Sequence, residues 1–501
     1  MGWNAYPGNP TVVGSKTQLK AHFGVELLGI QRKAQSRKYL RSEQCRMLFE
    51  RVESTGLAHY SYIIGDRNEA IVIDPRRDCD VYVDLASREG MRVLHILETH
   101  RNEDYVIGSV ELASRTEAQI WHADSKLDYK YGSAVKSGQV WKVGRFKLVA
   151  IPTPGHTPGS MSYLLKDSGG NPWIVFTGDA LFAGDVGRVD LLGMDKAEEM
   201  ARLLYDSLFN KILPLGDEVI ACPAHGAGSV CAASIADRKW TTLGLERKLN
   251  PKLQVQDEEV FVSKMAVKLE RPPYFKEMER LNVEGAPLLC TLPDAKPLAP
   301  DEFEQMAKNS FVLDTRMDLG FGAAHVPKTL NIWLAGVPSF AGWFLPYDRP
   351  ILLVEETGDP SLALRYLLRL GYDNLAGYLA GGMLAWHMAG KESSSIRTAS
   401  VQYLCKHLDM KEKEDAWILE VRSIHELETS GRISGAHHIH ITELPLHLAE
   451  VPKEKPIYIF CGSGLRSMVA ASILQKEGWD DLTVVLGGLA GWSSVACPVV
   501  K

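Results

Sequence analysis

The chain has 501 residues, which is too long for one hydrophobic core and predicts about three domains of ordinary size. Apolar residues make up 45% of the chain, and the net charge is −6, so no basic excess is present to attract nucleic acid. The sequence lacks a run of about 18 apolar residues and a secretion signal, so we expect a cytoplasmic protein that does not bind a membrane.

Residues 1–46 are rich in lysine and arginine, as in the stretch KTQLKAHFGVELLGIQRKAQSRKYLRS. We predict an N-terminal extension of uncertain order, with a transit peptide or a partner-binding helix as the alternative. The eight cysteines of the whole chain include no CxxC pair, which predicts neither a zinc ribbon nor a disulfide framework. Most of the thiols are expected to be buried as small apolar groups.

Between residues 47 and 255, short apolar runs alternate with polar stretches, and several runs end in histidine or aspartate. Strand ends are where α/β and sandwich scaffolds place chemistry. The residues at these ends are His100 in ETHRNEDY, His156 in PTPGHTPGS, Asp179 in FTGDALF and His225 in CPAHG. Their order resembles the metallo-β-lactamase family, whose motifs are THxHxDH, GHTPGS, GD and a late histidine. The resemblance implies an αββα sandwich with a metal site.

The turn HRNEDY departs from the family motif at two positions. Two-zinc hydrolases of this fold need histidines where Asn102 and Tyr105 stand, and neither an amide nor a phenol replaces imidazole well on zinc. The set that remains is His100, His156 and Asp179. Two imidazoles and one carboxylate form the facial triad that non-haem Fe(II) prefers, with three coordination positions left open. We therefore predict one Fe(II) per chain.

Persulfide dioxygenases of the same fold use the corresponding histidines and aspartate for a single iron, so the first domain, at 47–296, resembles that group. The resemblance implies that Arg188 and Asp190 in GDVGRVDL lie near a thiol-substrate pocket. A plain structural ion pair is the alternative for Arg188. The other polar residues of the motifs are expected to orient ligands or bound water, and they are Asn102, Asp104, Tyr105 and His225. For Asp104 the alternative is a turn-stabilising role. The segment LERPPYFKEMERLN resembles the tail of the rhodanese-fused members of the group.

The second half of the chain contains an internal repeat. VLDTR (312–316) matches ILEVR (418–422), PILLVEETGDPS (350–361) matches PIYIFCGSGLRS (456–467), and LAGGMLAW (379–386) matches LGGLAGW (486–492). The offset is 422 − 316 = 106 residues at the first of these matches, and the other two agree with it. Each copy alternates strand-like and helix-like stretches, which is typical of a parallel-sheet α/β unit. We predict two such domains, at 297–395 and 396–501.

In the second copy the strand PIYIF runs directly into CGSGLRS and then into a helix. Backbone N–H groups and a helix N-terminus can converge on an anion there, which suits a thiolate or persulfide at Cys461. Both copies resemble rhodanese domains. The resemblance implies that Cys461 is the nucleophile that carries sulfane sulfur, with a positive charge from Arg466. The loop residues that would cradle this charge are Gly462, Ser463, Gly464 and Leu465.

The first copy has Glu355 and Pro360 where the second has Cys461 and Arg466. It has neither the nucleophile nor the loop arginine, so we predict an inactive domain that serves as a scaffold or an interface.

The predicted protein is thus an α/β chain in which a metallo-β-lactamase sandwich precedes an inactive and an active rhodanese domain. Its predicted activity is Fe(II)- and O₂-dependent oxidation of a low-molecular-weight thiol persulfide, such as glutathione persulfide, to sulfite and thiol. Sulfur transfer through Cys461 would couple this oxidation to the formation or use of thiosulfate. We expect a homo-oligomer. The alternatives are a zinc thioester hydrolase of the glyoxalase II type with a rhodanese, and a non-catalytic sulfur-relay protein with a vestigial metal site.

Overall fold

The computed structural model describes residues 47–232, 234–409, 417–495, 497 and 499. The predicted extension at 1–46 lies outside the described residues. The described residues all belong to one compact unit. Within them, no helix is both long enough and apolar enough to cross a bilayer.

Residues 47–242 form two mixed sheets. The first sheet follows the chain in its strand order: β1 Met47–Ser54, β2 His59–Asp66, β3 Glu69–Ile73, β4 Arg92–Leu97, β5 Gln119–His122 and β6 Ser133–Ala134. The second sheet also follows chain order: β7 Val140–Val143, β8 Phe146–Pro152, β9 Met161–Lys166, β10 Pro172–Gly178, β11 Ile220–Pro223 and β12 Thr241–Thr242.

Helices cover the outer faces of these sheets and continue into the tail segment. They are α1 Asp80–Arg88, α2 Ser109–Thr116, α3 Met194–Asp206, α4 Leu243–Leu249, α5 Glu258–Met265 and α6 Phe275–Glu284. A π-helical segment, Ser207–Ile212, and a 3-10 turn, Leu213–Leu215, follow α3.

Alternation of buried residues along the strands builds the layers. Ile64 of β2 packs with Phe176 of β10 in a cluster between the two sheets. The preceding residue, Ile63, points to the opposite face of the first sheet and packs with Tyr82 of α1. Side chains of α3 and α5 share a third cluster with β10 on the outside of the second sheet. Apolar residues on both faces of a strand require a cover on each side, so the predicted αββα layering follows from the sequence.

Each rhodanese-like domain is built around a parallel sheet. The first contains β13 Pro297–Leu298, α7 Pro300–Ala307, β14 Phe311–Asp314, α8 Asp318–Ala323, β15 Leu330–Asn331, α9 Val337–Phe344, β16 Ile351–Val354, α10 Ser361–Arg369, β17 Leu375–Leu379 and α11 Gly382–Met388. The second contains β18 Arg397–Ser400, α12 Val401–Asp409, β19 Trp417–Glu420, α13 Ile424–Ser430, β20 His437–His438, β21 Ile457–Phe460, α14 Leu465–Lys476, β22 Leu482–Leu486 and α15 Gly488–Ser494.

The two domains have equivalent strand orders, β13-β17-β16-β14-β15 and β18-β22-β21-β19-β20. Phe311 lies opposite Ile351 in the first domain, and Trp417 lies opposite Ile457 in the second. The offset of the sequence repeat is therefore retained in the register of the sheets.

One buried apolar cluster joins all three domains. It includes Val106 from the turn after β4, Met278 of α6, Leu367 of α10 and Ile459 of β21. The turn between β4 and α2, residues 98–108 (the metal-site turn), therefore packs on α6 and on the first rhodanese-like domain.

The cysteines differ from expectation at one place. Cys405 in α12 and Cys497 form a disulfide with their Cα atoms 6.1 Å apart, although no disulfide was predicted from the cysteine spacing. The two positions are separated by 92 residues in the chain, and the packing of α12 against α15 brings them together. The free cysteines at 79, 222 and 231 are buried as predicted, whereas Cys290 is exposed. Cys461, for which the sequence predicts a functional role, is buried as well.

Candidate metal centre and sulfur-transfer loop

The predicted ligands follow the ends of strands at one edge of the sandwich. His100 comes three residues after β4, His156 four residues after β8, and Asp179 directly after β10. Gly178 precedes Asp179 with a φ of +54°, and a Cβ at this position would lie 2.8 Å from the Thr99 Cβ. Only glycine meets both demands, so the glycine of the GD motif lets β10 approach the turn that carries His100.

Thr99 orients the His100 ring. The Thr99 hydroxyl donates to Asp74 Oδ2 at 2.7 Å and lies 2.9 Å from His100 Nδ1. Because its hydrogen is used on Asp74, the hydroxyl accepts from Nδ1, and the lone pair of His100 is left on Nε2. Burial lowers the pKa of His100, which favours the neutral ring that a metal ligand requires.

His156 is oriented in the same way by a backbone carbonyl. Its Nδ1 lies 3.0 Å from the carbonyl oxygen of Arg188, so Nδ1 donates and Nε2 carries the free lone pair. A partner of this kind on the far side of the ring is typical of metal-binding histidines.

These three side chains converge. The Nε2 atoms of His100 and His156 lie 3.7 and 3.5 Å from Asp179 Oδ2. Ligands at about 2.1 Å from one ion are separated by about 3.0–4.2 Å, depending on the angle between them. All three residues are buried, and neither Nε2 has a hydrogen-bond partner in the described part of the chain. A single metal ion would satisfy both nitrogens, so the donor set fits one N/O-bound cation.

His225 lies on the other side of Asp179. Its Nδ1 is 2.8 Å from Asp179 Oδ1, and its Nε2 is 3.0 Å from Asp104 Oδ2. Burial lowers the pKa of His225, but the two carboxylates outweigh burial and raise the pKa well above its usual value. Burial also opposes ionisation of Asp179, yet His225 and His100 hold the pKa of this carboxyl well below its ordinary value. His225 thus bridges two carboxylates with both ring nitrogens.

Tyr105, like Asn102, stands at a position where the metallo-β-lactamase motif THxHxDH has a histidine. Its ring lies against the His59 ring, with 3.9 Å between centroids, and it is almost fully buried. The phenol packs beside His225 and adds no imidazole to this half of the site.

Arg188 and Asp190 form a buried pair, with distances of 2.7 Å from Nε to Oδ1 and 2.8 Å from Nη2 to Oδ2. The guanidinium also donates to the backbone carbonyls of Glu270, Leu269 and Val230. All of its nitrogens therefore have protein partners. The arginine ties the loop that orients His156 to the start of the tail segment.

Two site residues were not indicated by the sequence patterns. Glu103 Oε2 lies 3.5 Å from His156 Nε2, and the carboxyl group is within reach of a shared ion with His100 and His156. Cys231 lies buried within 4.8 Å of ligand atoms of Asp104 and His225, and also of His156 and Asp179. The position of Glu103 beside Asn102 in the turn was the available signal for the first. The loop around Cys231 carries no motif that would have indicated the second.

Asn282 of α6 fixes the backbone of the metal-site turn. Its Nδ2 donates to the carbonyl oxygens of Asn102 and Tyr105, both at 2.8 Å, and its Oδ1 accepts from the Ile107 N–H at 2.9 Å. Arg369 of the first rhodanese-like domain adds a fourth backbone contact, because its carbonyl accepts from the Val106 N–H at 2.8 Å. The turn is thus held from outside the sandwich.

Cys461 directly follows β21, and α14 begins four residues later. The cysteine is fully buried, and its Sγ accepts a hydrogen bond from the Gly464 N–H at 3.1 Å. Gly462 and Ser463 complete the turn, and Leu465 begins α14, whose N-terminus therefore faces the sulfur. Such a turn stabilises negative charge on sulfur.

The closing segment of the domain holds the loop in place. The N–H groups of Leu489, Ala490 and Gly487 donate to the carbonyls of Cys461, Gly462 and Ser463. A Cβ at Gly488 would lie 2.2 Å from the Cys461 carbonyl oxygen, so only glycine permits this contact.

Arg466 is paired with Glu426 of α13 by two hydrogen bonds of 2.6 Å. The guanidinium lowers the pKa of Glu426 to about 2. A Cβ at Gly462 would lie 3.2 Å from Arg466 Nη2, which places the charge beside the loop. Arg466 therefore lies where its charge can act on Cys461, with Glu426 as its direct partner.

Comparisons with known proteins agree with this architecture. The model of the metallo-beta-lactamase superfamily matches residues 54–225, and the rhodanese-like domain model matches residues 299–389 and 401–495. The mitochondrial persulfide dioxygenase ETHE1 of Homo sapiens is 31% identical over 227 residues, which cover 43% of this chain and 77% of that protein.

A crystal structure of a metallo-beta-lactamase from Staphylococcus aureus subsp. aureus COL is 32% identical, with a TM-score of 0.60. The match covers 67% of this chain and 98% of that one. The hydroxyacylglutathione hydrolase GloC of Haemophilus influenzae is 25% identical over 38% of this chain and 90% of its own length. The predicted order of domains is confirmed, and the chain belongs to the persulfide dioxygenase family of the metallo-β-lactamase superfamily, extended by two rhodanese-like domains.

Proposed function

We propose that the chain is an Fe(II)-dependent dioxygenase of low-molecular-weight thiol persulfides that also transfers sulfane sulfur through Cys461. The overall oxidation is RSSH + O₂ + H₂O → RSH + H₂SO₃, in which the outer sulfur is oxidised and dioxygen is reduced. The observation that carries the proposal is the convergence of two unpartnered imidazole nitrogens and one carboxylate in a buried site.

His100 and His156 would hold the iron through Nε2, and Asp179 through its carboxylate. This composition is the one that non-haem Fe(II) oxygenases use. When bound, Fe(II) would supply the redox chemistry and the coordination sites that a persulfide thiolate and dioxygen need. The remaining task of the protein is positioning, since reactants held side by side need no further encounter in solution.

The surrounding side chains keep the ligands in place. Thr99 and the Arg188 carbonyl each hold the Nδ1 side of a histidine, and His225 holds Asp179 from the side away from the proposed iron. We assign Arg188 to this ordering role rather than to direct substrate contact, because its guanidinium nitrogens all have protein partners. Asn102, Asp104 and Tyr105 complete the buried wall of the site.

We propose that Cys461 acts in a separate transfer reaction. The thiolate attacks the outer sulfur of a persulfide or of thiosulfate, the S–S bond breaks, and the thiol or sulfite leaves with the bonding electron pair. The Cys461 persulfide then passes its outer sulfur to sulfite, giving thiosulfate, or to a thiol. The Gly464 N–H stabilises the sulfur anion that each step leaves behind.

The proposal extends to the substrate, the compartment, the oligomeric state and the first rhodanese-like domain. We propose glutathione persulfide as the substrate, the cytoplasm as the compartment and a homo-oligomer as the working form. The first rhodanese-like domain, which has Glu355 at the nucleophile position, is proposed to be inactive.

The decisive experiment combines metal analysis with oxygen uptake on glutathione persulfide. We expect about one iron per chain, and O₂ consumption with sulfite as the product. The variant His156→Ala is expected to lose both iron and O₂ consumption while it retains sulfur transfer from thiosulfate. Stoichiometric zinc with cleavage of lactoyl-glutathione would overturn the proposal in favour of a hydrolase. A well-folded protein that binds no metal would overturn it in favour of a sulfur relay.

A further inference from the structure

We propose that Glu103 is a fourth protein ligand of the metal, so that the centre has two histidines and two carboxylates. The inference rests on the proposed metal site and changes its coordination. The family motif has a histidine at the position of Asn102, one residue earlier in the turn, and nothing in that motif assigns a role to the position of Glu103.

The carboxylate lies at the distance expected of a ligand. Glu103 Oε2 is 3.5 Å from His156 Nε2, the same separation that Asp179 Oδ2 has from this nitrogen. Ligand atoms of Glu103, His100 and His156 all lie within 4.8 Å of one another. The 3.5 Å separation between Glu103 Oε2 and His156 Nε2 lies within the range of about 3.0–4.2 Å for two ligands at about 2.1 Å from one ion.

Only one of the two carboxylate oxygens of Glu103 has a hydrogen-bond partner in the described part of the chain. Oε1 accepts from Arg101 Nη2 at 3.2 Å, and Arg101 is itself shared with Glu279. Oε2 has no hydrogen-bond partner among the residues that the structure describes, although the side chain is only 1% exposed. A buried charged oxygen without a partner costs more than about 1–3 kcal/mol, and a cation between Glu103 and His156 would remove that cost.

Asn102, the residue before Glu103, is buried and makes its contacts within the protein. Asn102 Nδ2 lies 3.4 Å from the carbonyl oxygen of His100, and Asn282 holds the Asn102 carbonyl. The turn thus has an amide at the position of the family histidine and a buried carboxylate one residue later. In the proposed centre the Glu103 carboxylate adds a fourth donor to His100, His156 and Asp179.

The extra carboxylate changes the chemistry of the centre. Two negative ligands balance the charge of a divalent ion, and the larger share of oxygen donors favours Fe(II) or Mn(II) over softer metals. In an octahedral centre, four protein ligands leave two positions for exogenous molecules instead of three. Two positions are enough for one thiolate and one further small ligand.

The test compares Co(II) and Fe(II) binding by the full-length wild-type chain and by Glu103→Gln, Glu103→Asp and Glu279→Gln. Loss of a partner that only supports a ligand weakens metal binding about 10–100-fold, so we expect Glu103→Gln to weaken Co(II) binding at least about 10-fold. Its Co(II) visible absorption spectrum should also change, because the spectrum reports the donor set. Glu103→Asp keeps the charge with a shorter reach and should fall between wild type and Glu103→Gln.

Glu279→Gln is the matched control, because it removes the other carboxylate partner of Arg101 without touching the ligand cluster. It should bind Co(II) as wild type does and with an unchanged spectrum. Near-ultraviolet circular dichroism checks that each variant is folded. If Glu103→Gln does not fold, Glu103→Asp alone decides, since a ligand one methylene shorter must alter the Co(II) spectrum.

The failures of the two proposals are distinguishable. Wild-type affinity and an unchanged Co(II) spectrum in folded Glu103→Gln would overturn ligation by Glu103 while the metal site remains. A wild-type protein that binds neither Co(II) nor Fe(II) would overturn both. A wild-type protein that binds iron yet consumes no O₂ with persulfide would overturn the proposed function only, and the Co(II) spectra would still decide the role of Glu103.

Discussion

The two rhodanese-like domains share their sheet order and register, and they differ in the loop after the fourth strand in chain order, β16 in the first domain and β21 in the second. Both retain a buried acid–arginine pair at equivalent positions, Asp314 with Arg316 and Glu420 with Arg422. In the second domain Cys461 follows β21 and α14 begins four residues later. In the first domain Glu355 follows β16, and α10 begins six residues later at Ser361. The scaffold is common, and the chemistry depends on the loop.

The helix that follows this loop docks differently in the two domains. At the end of α10, Arg369 binds the carboxylate of Asp78 in the sandwich with two hydrogen bonds of 2.8 Å. The equivalent position in α14, 106 residues later, is Gln475, which contacts His325 and Ser395 of the first domain. The first domain therefore supports the metal-site turn, whereas the second rests on the first. Loss of the nucleophile is compatible with retention of the fold when a domain has such a structural role.

The largest expected effect is at the nucleophile. Cys461→Ser should reduce thiosulfate:thiol sulfur transfer to the background rate, because a hydroxyl cannot carry sulfane sulfur. O₂ consumption with glutathione persulfide should remain. Cys290→Ser, at the exposed free cysteine, is the control and should retain both activities. Transfer activity that survived in Cys461→Ser would mean that the two domains do not differ in the way proposed.

The docking difference is tested by a matched pair of variants. Arg369→Ala leaves the buried Asp78 with Arg76 and Arg365 at 3.2 and 3.3 Å, and breaking a buried pair costs about 3–5 kcal/mol, so we expect a loss of about 3 kcal/mol. Gln475→Ala removes two neutral hydrogen bonds and should cost about 1–2 kcal/mol. Thermal unfolding measures both. Equal losses would contradict the view that the docking contact of α10 stabilises the protein more than that of α14.

The ion pair between Glu426 and Arg466 should make the stability of the protein depend on pH in the acidic range. The folded pKa of Glu426 is about 2 against an ordinary value of 4.5, so its contribution is complete above about pH 4.5 and is lost as the pH falls towards 2. Glu426→Gln removes this dependence. The difference in melting temperature between wild type and Glu426→Gln should therefore shrink as the pH falls through this window.

Glu428→Gln, at an exposed position of the same helix, is the control for the acid-limb measurement. It should track the wild-type protein at each pH. A difference between wild type and Glu426→Gln that grew on acidification would contradict the sign of the pKa shift.

The smallest expected effect is that a cysteine placed in the first rhodanese-like domain restores no sulfur transfer. Introducing Glu355→Cys into the Cys461→Ser background should not restore sulfur transfer. The first domain has Pro360 in place of the loop arginine, and its helix begins two residues later relative to the repeat. A stopped assay with thiosulfate and cyanide or thiol would detect any recovery. Restored transfer would show that the thiol alone, without its loop, defines the active domain.

The sequence was sufficient for the features that have a local pattern. Apolar runs that end in His100, His156 and Asp179 predicted a shared site, since strand ends meet at one edge of a sandwich, and the structure brings these side chains together. The constant offset of 106 residues likewise predicted two equal sheets, and the register of the strands retains it.

Features without a local pattern could not be predicted. Asn282 is 177 residues from Tyr105, and its contacts with the metal-site turn depend on how α6 packs. Whether Glu103 faces inward depends on the rotation of one short turn, which residue types alone do not determine. The sequence does not decide between a role of Arg188 at the substrate pocket and a plain structural ion pair, because only the positions of the tail carbonyls show which groups its donors contact.

The external support of the metal-site turn has a consequence for how the protein is made. Three backbone groups of the turn form hydrogen bonds with the Asn282 side chain, and the Val106 N–H donates to the Arg369 carbonyl. Both partners come later in the chain than the turn. A ribosome therefore has to synthesise most of the first rhodanese-like domain before the ligand turn of the sandwich can reach its final shape. A translation product truncated before residue 369 would therefore lack the Arg369 contact at the proposed metal site, even though every proposed ligand had already been synthesised.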